Sequence, residues 1–385
     1  MRRLPQLALC VFLASWVGMP VYAQQTRYVD DATCPAVGSG SQADPYCKIQ
    51  DAICELRNVP GGGTVLVRPG TYHEAVRMFK DVSVVSTDGA AATTIDATGK
   101  PCLTSSCTVS TVTPCAVVYF PSASATEVDR LEGFTLTGGA GIRQTCAGTC
   151  DNQLGGGIFV INASPTITRN TITGNVLYPA SSATIFGGAG IYVGGRSARP
   201  VITGNTIEGN VADPGPGTAS QGRYALGGGI YVGYPFASAW IDGNTIRSNR
   251  AGGAVPYQVG TGGGIALNST PATVPVVTRN HIKGNTASDV GGGLFLAYTW
   301  DGGPGRSRVD SNLIEANAAS EGGGIGIDVH DGTIVNNTIV LNTAERGAGI
   351  WVTSVAAKLW NNLVTGNVAT VAGGGLFVHP AGGGA

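Results

Sequence analysis

Hydrophobic and polar residues alternate in short stretches along most of the chain, and many of these stretches follow a cluster of glycines. Alternation with a period of two predicts short β-strands, and no helical period lies between them. Glycine-led strands are predicted to begin at Ile158, Ile191, Ile230, Ile265, Leu294, Ile325, Ile350 and Leu376. The steps between these positions are 33, 39, 35, 29, 31, 25 and 26 residues, so the chain is built from internal repeats.

A second motif, Asn-x-(Ile/Leu/Val)-x-x-Asn, lies between successive glycine clusters. Asn tolerates the left-handed backbone of a sharp bend, and its amide can hydrogen-bond to its copy in the next repeat. We therefore assign these residues to structural turns rather than to catalysis. The motif runs from Asn170 to Asn175, Asn205 to Asn210, Asn244 to Asn249, Asn280 to Asn285, Asn312 to Asn317, Asn337 to Asn342 and Asn362 to Asn367.

The shortest repeat contains about 25 residues and three short strand-like pieces, at 349–352, 357–360 and 363–364. Pieces of this length cannot bury an apolar face alone, so the repeats are expected to stack along an axis. Parallel strands then pair between coils at about 4.8 Å. The sequence predicts an all-β solenoid with Ile, Val and Leu inside and about ten coils.

These repeats resemble those of right-handed parallel β-helix proteins, the architecture of pectate lyases, other polysaccharide-active proteins and many bacterial surface proteins. The resemblance covers residues 26–380. The Gly-Gly-Gly-Ile and Ile-x-x-Asn segments are also similar to repeats of polymorphic outer-membrane adhesins, although those usually carry Gly-Gly-Ala and Phe-x-x-Asn. The resemblance implies a right-handed β-helix, the pectate-lyase-like fold, and assigns no activity.

The amino-terminal segments Tyr28–Asp30, Asp44–Ile53 and Val65–Tyr72 resemble the opening of bacterial secreted β-helices. Ile49, Ile53 and Leu56 would give a short helix one apolar stripe that covers the first open coil.

The sequence divides into three predicted segments. Residues 1–23 have the basic start, apolar stretch and small-residue cleavage pattern of a signal peptide. Residues 24–64 are predicted to form the amino-terminal cap with its short helix, and residues 65–385 the β-helix. The carboxy-terminal coil is followed by no capping element, so we expect either a fragment or self-association through an open edge.

Eight cysteines follow the predicted signal peptide, and all precede residue 151. An even number after an export signal favours disulfides over zinc, in an oxidising compartment. The first pair expected is Cys34 with Cys47, and the second is Cys146 with Cys150. The protein is therefore expected to be secreted or at the cell surface, with the periplasm as an alternative.

The charge balance gives little sign of a charged partner. The chain has 23 Lys and Arg against 24 Asp and Glu among 385 residues, and no basic stripe is present. Nucleic acid is therefore not an expected partner. Apart from the signal peptide, we predict no transmembrane segment.

One outward-facing position of each glycine-led strand is predominantly aromatic. An aromatic column can bind the apolar faces of sugar rings, and loop insertions on both sides would make it the floor of a groove for a polysaccharide. The alternative is a stack of rings that loops cover. The aromatic residues of this column are Phe159, Tyr192, Tyr231, Phe295, Trp351 and Phe377.

Acidic residues recur just before these strands, at Asp289, Glu321 and Glu345. Stacked carboxylates could hold Ca²⁺ or serve as an acid–base pair. The alternative is that they are solvent-exposed charges at a turn without a function. Arg346 lies beside Glu345, and Asp328 and His330 follow the strand of the middle coil.

We interpret Glu321, Glu345, Arg346, Asp328 and His330 as candidates for lyase or epimerase chemistry on a uronate polymer. No catalytic segment of pectate lyases, polygalacturonases or alginate epimerases occurs in the sequence. Three functions therefore stay open: polysaccharide binding along the aromatic column, lyase or epimerase activity in the same groove, and a non-catalytic adhesin or stalk.

Overall fold

The computed structural model describes residues 24–103, 107–108, 115–122, 126, 129–146, 150–177, 183–213, 215, 223–233, 237–253, 258–297, 305–353 and 356–379. Nearly all of the regular structure is β, and equivalent strands of successive repeats pair in parallel. Three long sheets of 11, 10 and 10 strands run along the molecule. The predicted parallel solenoid of about ten coils is confirmed.

Each complete coil contributes one strand to each long sheet. The strands of the first sheet are Gln25–Val29, Gly63–Val67, Val82–Ser86, Arg130–Glu132, Thr166–Thr168, Val201–Thr203, Trp240–Asp242, Val276–Thr278, Arg308–Asp310, Thr333–Val335 and Lys358–Trp360. Those of the second are Gly70–Tyr72, Thr93–Asp96, Thr135–Thr137, Thr171–Thr173, Thr206–Glu208, Thr245–Arg247, His281–Lys283, Leu313–Glu315, Thr338–Val340 and Leu363–Thr365. Those of the third are Val76–Arg77, Val118–Phe120, Ile158–Ile161, Ile191–Gly194, Ile230–Gly233, Ile265–Asn268, Leu294–Ala297, Ile325–Ile327, Ile350–Val352 and Leu376–Val378.

Three smaller sheets lie between the second and third sheets. The lateral sheet contains Ile142–Cys146, Cys150–Leu154, Ile185–Gly187, Arg223–Leu226 and Gln258–Thr261. A four-stranded sheet contains Val176–Leu177, Val211–Ala212, Arg250–Ala251 and Thr286–Ala287. The last two strands, Thr343–Arg346 and Val368–Ala372, pair with each other.

The interior is a continuous apolar core because equivalent side chains stack from coil to coil. Ile230 pairs in register with Ile191 on one side and with Ile265 on the other. Within one coil, Ile230, Ile241 and Ile246 come from the three long sheets and are fully buried. Burial of each such side chain contributes about 1.5–3 kcal/mol, so the column supplies much of the stability.

The paired Asn residues form two ladders along the turns on either side of the second sheet. Asn205 Nδ2 donates to Asn244 Oδ1 at 3.0 Å and to the carbonyl oxygen of Ile167 at 2.9 Å. Asn210 Nδ2 donates to Asn249 Oδ1 at the same distance of 3.0 Å. The predicted hydrogen bonds between copies are therefore present, and they satisfy buried backbone groups as well.

The left-handed backbone predicted for these Asn residues lies one position earlier. The residue before each ladder Asn has positive φ, whether it is a glycine such as Gly204 or a larger residue such as Arg169 or Leu341. The Asn side chain must point inward to meet its copy, so the preceding residue makes the bend. The bend is therefore one residue earlier than predicted, and the Asn residues keep the structural role assigned to them.

This geometry predicts that Leu341→Gly is more stable than Leu341→Ala. Leu341 has φ 57° and is 62% exposed, so its side chain adds little packing, whereas any β-carbon is strained there. We expect the glycine variant to exceed the alanine variant by about 0.5–1 kcal/mol in the free energy of unfolding. Urea unfolding of the two variants measures the difference, and equal stabilities would contradict it.

The amino-terminal end contains a 3₁₀ turn, Asp31–Thr33, and the helix α1, Ile49–Leu56. Ile49, Ile53 and Leu56 are fully buried against the core, as the apolar stripe predicts. The Glu74 carboxylate accepts the backbone N–H of Ile49 at 2.9 Å and that of Gln50 at 3.0 Å, which satisfies the first turn of the helix. Parallel pairing already begins at Gln25, inside the segment assigned to the cap. Residues 1–23, the predicted signal peptide, lie outside the described residues.

Disulfides join parts of the amino-terminal coils. The structure contains the expected Cys34–Cys47 bond and two others, Cys54–Cys107 and Cys102–Cys115. Cys146 and Cys150 face each other in register across two antiparallel strands, but their side chains lie outside the described residues. Three disulfides fit an extracellular or periplasmic protein. Among the described residues, no helix is long and apolar enough to cross a membrane.

The last described coil leaves apolar side chains open to solvent. The self-association predicted for this edge stays a prediction. The exposed residues are Trp360, Leu363, Val368, Val371, Leu376 and Val378.

Candidate binding site on the aromatic face

The outward side chains of the third sheet form the predicted column, which we call the aromatic face. Strand pairing brings its members into register through eight successive coils. Two small residues interrupt the rings. In order, the column contains Phe159, Tyr192, Tyr231, Ala266, Phe295, Gly326, Trp351 and Phe377.

The lateral sheet covers the first three rings. Phe159, Tyr192 and Tyr231 are 1%, 0% and 4% exposed, and their successive ring centroids lie 5.0 and 5.7 Å apart. They pack against residues of the covering strands such as Leu154 and Leu226. The prediction that these three rings form an accessible platform for sugars is therefore wrong, because they belong to a second apolar core.

The cover ends where the repeats become shorter. Ten residues separate the corner strand Arg250–Ala251 from Gly262, which is enough for the last lateral strand, Gln258–Thr261. Only three residues separate the next corner strand, Thr286–Ala287, from Gly291. A segment of three residues is too short for another covering strand, so the lateral sheet continues only as single bridges, from Thr261 to Val290 and from Val290 to Glu321.

A cavity of about 380 Å³ lies at this end of the lateral sheet, and we call it the open cavity. Phe295 and Trp351 contribute aromatic rings to it and are 8% and 7% exposed, while Phe377 is half-buried and packs against their cluster. Five residues singled out from the sequence meet here: Asp289, Phe295, Glu321, Asp328 and Trp351. The remaining lining residues are Ile185, Tyr224, Leu226, Val259, Thr261, Asn268, Val290 and Ala297.

Three buried polar atoms of residues that line the open cavity have no hydrogen-bond partner among the described residues. They are Thr261 Oγ1, Asn268 Oδ1 and Trp351 Nε1. Their residues are only 4%, 9% and 7% exposed. A buried polar group without a partner costs about 1–3 kcal/mol, so a ligand that hydrogen-bonds to these atoms gains affinity.

The carboxylates near the cavity do not stack as the sequence predicted. Glu321 pairs in register with Val290 and Arg346, and Arg346 Nη1 lies 3.4 Å from Glu321 Oε1. Glu345 is one residue earlier, so it faces the other side of the strand, where it lines a separate shallow depression with Ser320.

The predicted calcium site of Asp289, Glu321 and Glu345 is therefore not assembled. No group of three or more His, Cys, Asp or Glu residues in the described part of the chain could hold a metal ion. The physical reason is the register: stacking Arg346 on Glu321 places a cation where the prediction placed the third carboxylate.

The two other carboxylates of the open cavity differ in their surroundings. Burial, and to a lesser extent the neighbouring charge of Glu321, raises the pKa of Asp289 above its usual value. Asp328 Oδ1 accepts a hydrogen bond from the Thr353 hydroxyl at 2.6 Å. Among the described residues, neither Asp289 nor Asp328 forms an ion pair, so the cavity has unpaired carboxylates.

His330, a predicted catalytic residue, is not among the described residues that line the open cavity. It is fully buried, and its Nδ1 accepts the backbone N–H of Gly332 at 2.9 Å. Its Nε2 lies 3.4 Å from the hydroxyl oxygen of Ser269, and burial lowers the pKa of His330 to about 4. It is therefore separated from solvent and from the other predicted catalytic residues Glu321 and Asp328, which line the open cavity, and the catalytic role stays a prediction.

Comparison with known proteins identifies the family. The model of the right-handed beta helix region matches residues 94–301 and 259–384, which together span 291 of the 385 residues. The chain belongs to the right-handed β-helix family. No match was found among the curated proteins.

Several solved structures are similar to this chain at low sequence identity. A pectin methylesterase from carrot is 15% identical, with a TM-score of 0.42, over 94% of this chain and 90% of the other. Pectin methylesterase PemA from Erwinia chrysanthemi is 10% identical, with a TM-score of 0.36, over 86% and 81%. The A-module of the mannuronan C-5 epimerase AlgE4 of Azotobacter vinelandii is 13% identical, with a TM-score of 0.37, over 92% and 98%.

Sequence reasoning missed the polar residues Thr261 and Asn268 of this β-helix protein. Thr261 belongs to the same column as Val290, Glu321 and Arg346, just before the third sheet. Asn268 stacks beside Ala297, two positions after the aromatic column. Following each outward column through every coil would have found both residues.

Proposed function

We propose that this β-helix protein binds an extracellular polysaccharide, with part of the sugar chain in the open cavity. The observation that supports this most is the presence of Thr261, Asn268 and Trp351, with unpartnered buried polar atoms, beside the rings of Phe295 and Trp351. Sugar hydroxyls both donate and accept hydrogen bonds, while the C–H faces of sugar rings are apolar. A sugar ring therefore matches both parts of this lining.

The site lies downstream of the rings that the lateral sheet covers. Phe295, Trp351 and Phe377 carry the proposed contact with sugar, whereas Phe159, Tyr192 and Tyr231 support the wall formed by the lateral sheet. A cavity volume of about 380 Å³ falls within the general range of about 300–1,000 Å³ for ligand pockets. This is enough for a short part of a longer chain.

Lyase or epimerase activity on a uronate polymer is less well supported by the cavity. Asp289, Glu321 and Asp328 would repel the carboxylates of such a substrate, and the nearby cation Arg346 is already beside Glu321. A non-catalytic adhesin or stalk would need no cavity with unpartnered polar atoms. We therefore place binding ahead of both alternatives.

The test is binding of residues 24–385 to a panel of oligosaccharides, followed by Trp351→Ala. Loss of the ring and of its N–H is expected to weaken binding at least about tenfold, which corresponds to about 1.4 kcal/mol. Trp351→Phe keeps a ring without the N–H and should have an intermediate affinity.

Trp240→Ala is the matched control, because Trp240 is 48% exposed on the first sheet, away from the open cavity. It should leave affinity unchanged. Thermal unfolding of each variant shows whether it is folded at the temperature of the assay. Absence of binding to every oligosaccharide, or equal affinities for the two alanine variants, would overturn the proposal.

A further inference from the structure

The lining of the open cavity has an excess of negative charge. Asp289, Glu321 and Asp328 line it, and none of the described lining residues is a Lys, Arg or His. Arg346 approaches from the edge, where it contacts Glu321 and is 40% exposed. One cation beside three carboxylates leaves two carboxylates without a counter-charge among the described residues.

The lining also has more hydrogen-bond acceptors than donors. Asn268 Oδ1 is buried and unpartnered, and Asp289 and Asp328 add carboxylate oxygens. Trp351 Nε1 can only donate, and Thr261 Oγ1 can do either. A ligand that fits this lining must bring several donors and few acceptors.

The aromatic rings of the cavity also favour a positively charged ligand. Phe295, Trp351 and Tyr224 line the cavity beside the carboxylates. Aromatic faces attract cations, most strongly for tryptophan, and the attraction increases when water is excluded. Carboxylates and rings together therefore favour a positively charged group with several N–H donors.

We propose that the open cavity prefers a sugar that carries a protonated amine, as in a deacetylated amino sugar, over neutral or acidic sugars. The ammonium group supplies three donors and the missing positive charge, while the sugar ring packs on the aromatic side chains. This inference rests on the proposed polysaccharide binding and names the class of sugar. The raised pKa of Asp289 agrees with it, since burial and Glu321 both make its negative charge costly in the free protein.

The experiment compares three tetrasaccharides at pH 6 by isothermal titration calorimetry with residues 24–385. Glucosamine tetramer is expected to bind at least about tenfold more tightly than N-acetylglucosamine tetramer, and galacturonate tetramer more weakly than either. Tetralysine and CaCl₂ are the additional ligands. They show whether an amine without a sugar ring, or a divalent cation, occupies the same site.

Asp328→Asn tests the contribution of charge with little change of shape. Its amide oxygen can still accept the hydrogen bond from Thr353, so the fold should be retained. The preference for glucosamine over N-acetylglucosamine should fall several-fold, because the amine sugar loses the charge of one carboxylate in the cavity. Asp310→Asn removes the same charge from the first sheet, where Asp310 pairs with Arg308, and should leave the preference intact.

The outcomes separate this inference from the proposed function. Equal affinities for the amine and acetylated tetramers would overturn the amine preference while polysaccharide binding stands. Tetralysine or Ca²⁺ binding as tightly as the glucosamine tetramer would also overturn it, because the sugar ring would then contribute nothing. If no oligosaccharide binds, both proposals fail.

Discussion

Asn337→Ala is expected to lower the free energy of unfolding by about 3–5 kcal/mol, because it removes one rung of a buried ladder. Asn337 is 1% exposed, and its Nδ2 donates to the carbonyl oxygen of Val309 and to Asn362 Oδ1, each at 3.0 Å. Its Oδ1 accepts from both the side chain and the backbone of Asn312. Alanine leaves several of these groups buried without a partner.

Asn336→Gly is the matched control for this prediction. Asn336 precedes Asn337 in the same turn, but it is exposed and has φ 57°. Glycine removes the side chain without backbone strain, so stability should change by less than about 1 kcal/mol. Urea unfolding followed by circular dichroism measures both variants, and a loss for Asn337→Ala no larger than that of the control would contradict the ladder argument.

The repeat pattern made most of the fold predictable. Ile230 and Ile265 could be aligned from sequence because strands alternate with a period of two and each coil passes through similar turns. Stacking of equivalent residues then follows from parallel pairing. The position with a left-handed backbone could not be predicted from residue type, because Arg169, Leu341 and Gly204 all occupy it. The inward direction of the Asn that follows determines where the bend lies.

The candidate site was only partly predictable. Phe295 and Trp351 could be selected from sequence because they recur at equivalent points of successive coils, and Asp289, Glu321 and Asp328 because they lie next to the same strands. The accessibility of these side chains could not be predicted, because the lateral sheet is formed by insertions that carry no repeat pattern.

A shift of one residue also exchanges the two faces of a strand. The sequence placed Glu345 beside Glu321, whereas pairing brings Arg346 there. Burial therefore fixes the register inside the core, whereas the register at the irregular corners that precede the third sheet does not follow from the repeat pattern.

Phe159→Ala is expected to cost about 3–5 kcal/mol of stability while leaving oligosaccharide binding unchanged. Phe159 is 1% exposed and packs against Tyr192 at a ring-centroid distance of 5.0 Å, beneath the lateral sheet. Alanine leaves a cavity that these neighbours can fill only in part. Its position upstream of the open cavity separates it from Phe295 and Trp351, so the affinity of the folded variant should not fall.

Phe377→Ala makes the same substitution at the far end of the aromatic column. Phe377 is half-buried, so the variant should lose less stability than Phe159→Ala, and it should weaken binding because its ring packs beside Trp351. Thermal unfolding and calorimetry on both variants give the two quantities. Weaker binding by folded Phe159→Ala would show that the lateral sheet opens and that upstream rings contact the sugar. The lateral sheet, when closed, restricts the ligand to the downstream coils. Weaker binding by this variant would therefore mean that the binding site includes the whole aromatic face.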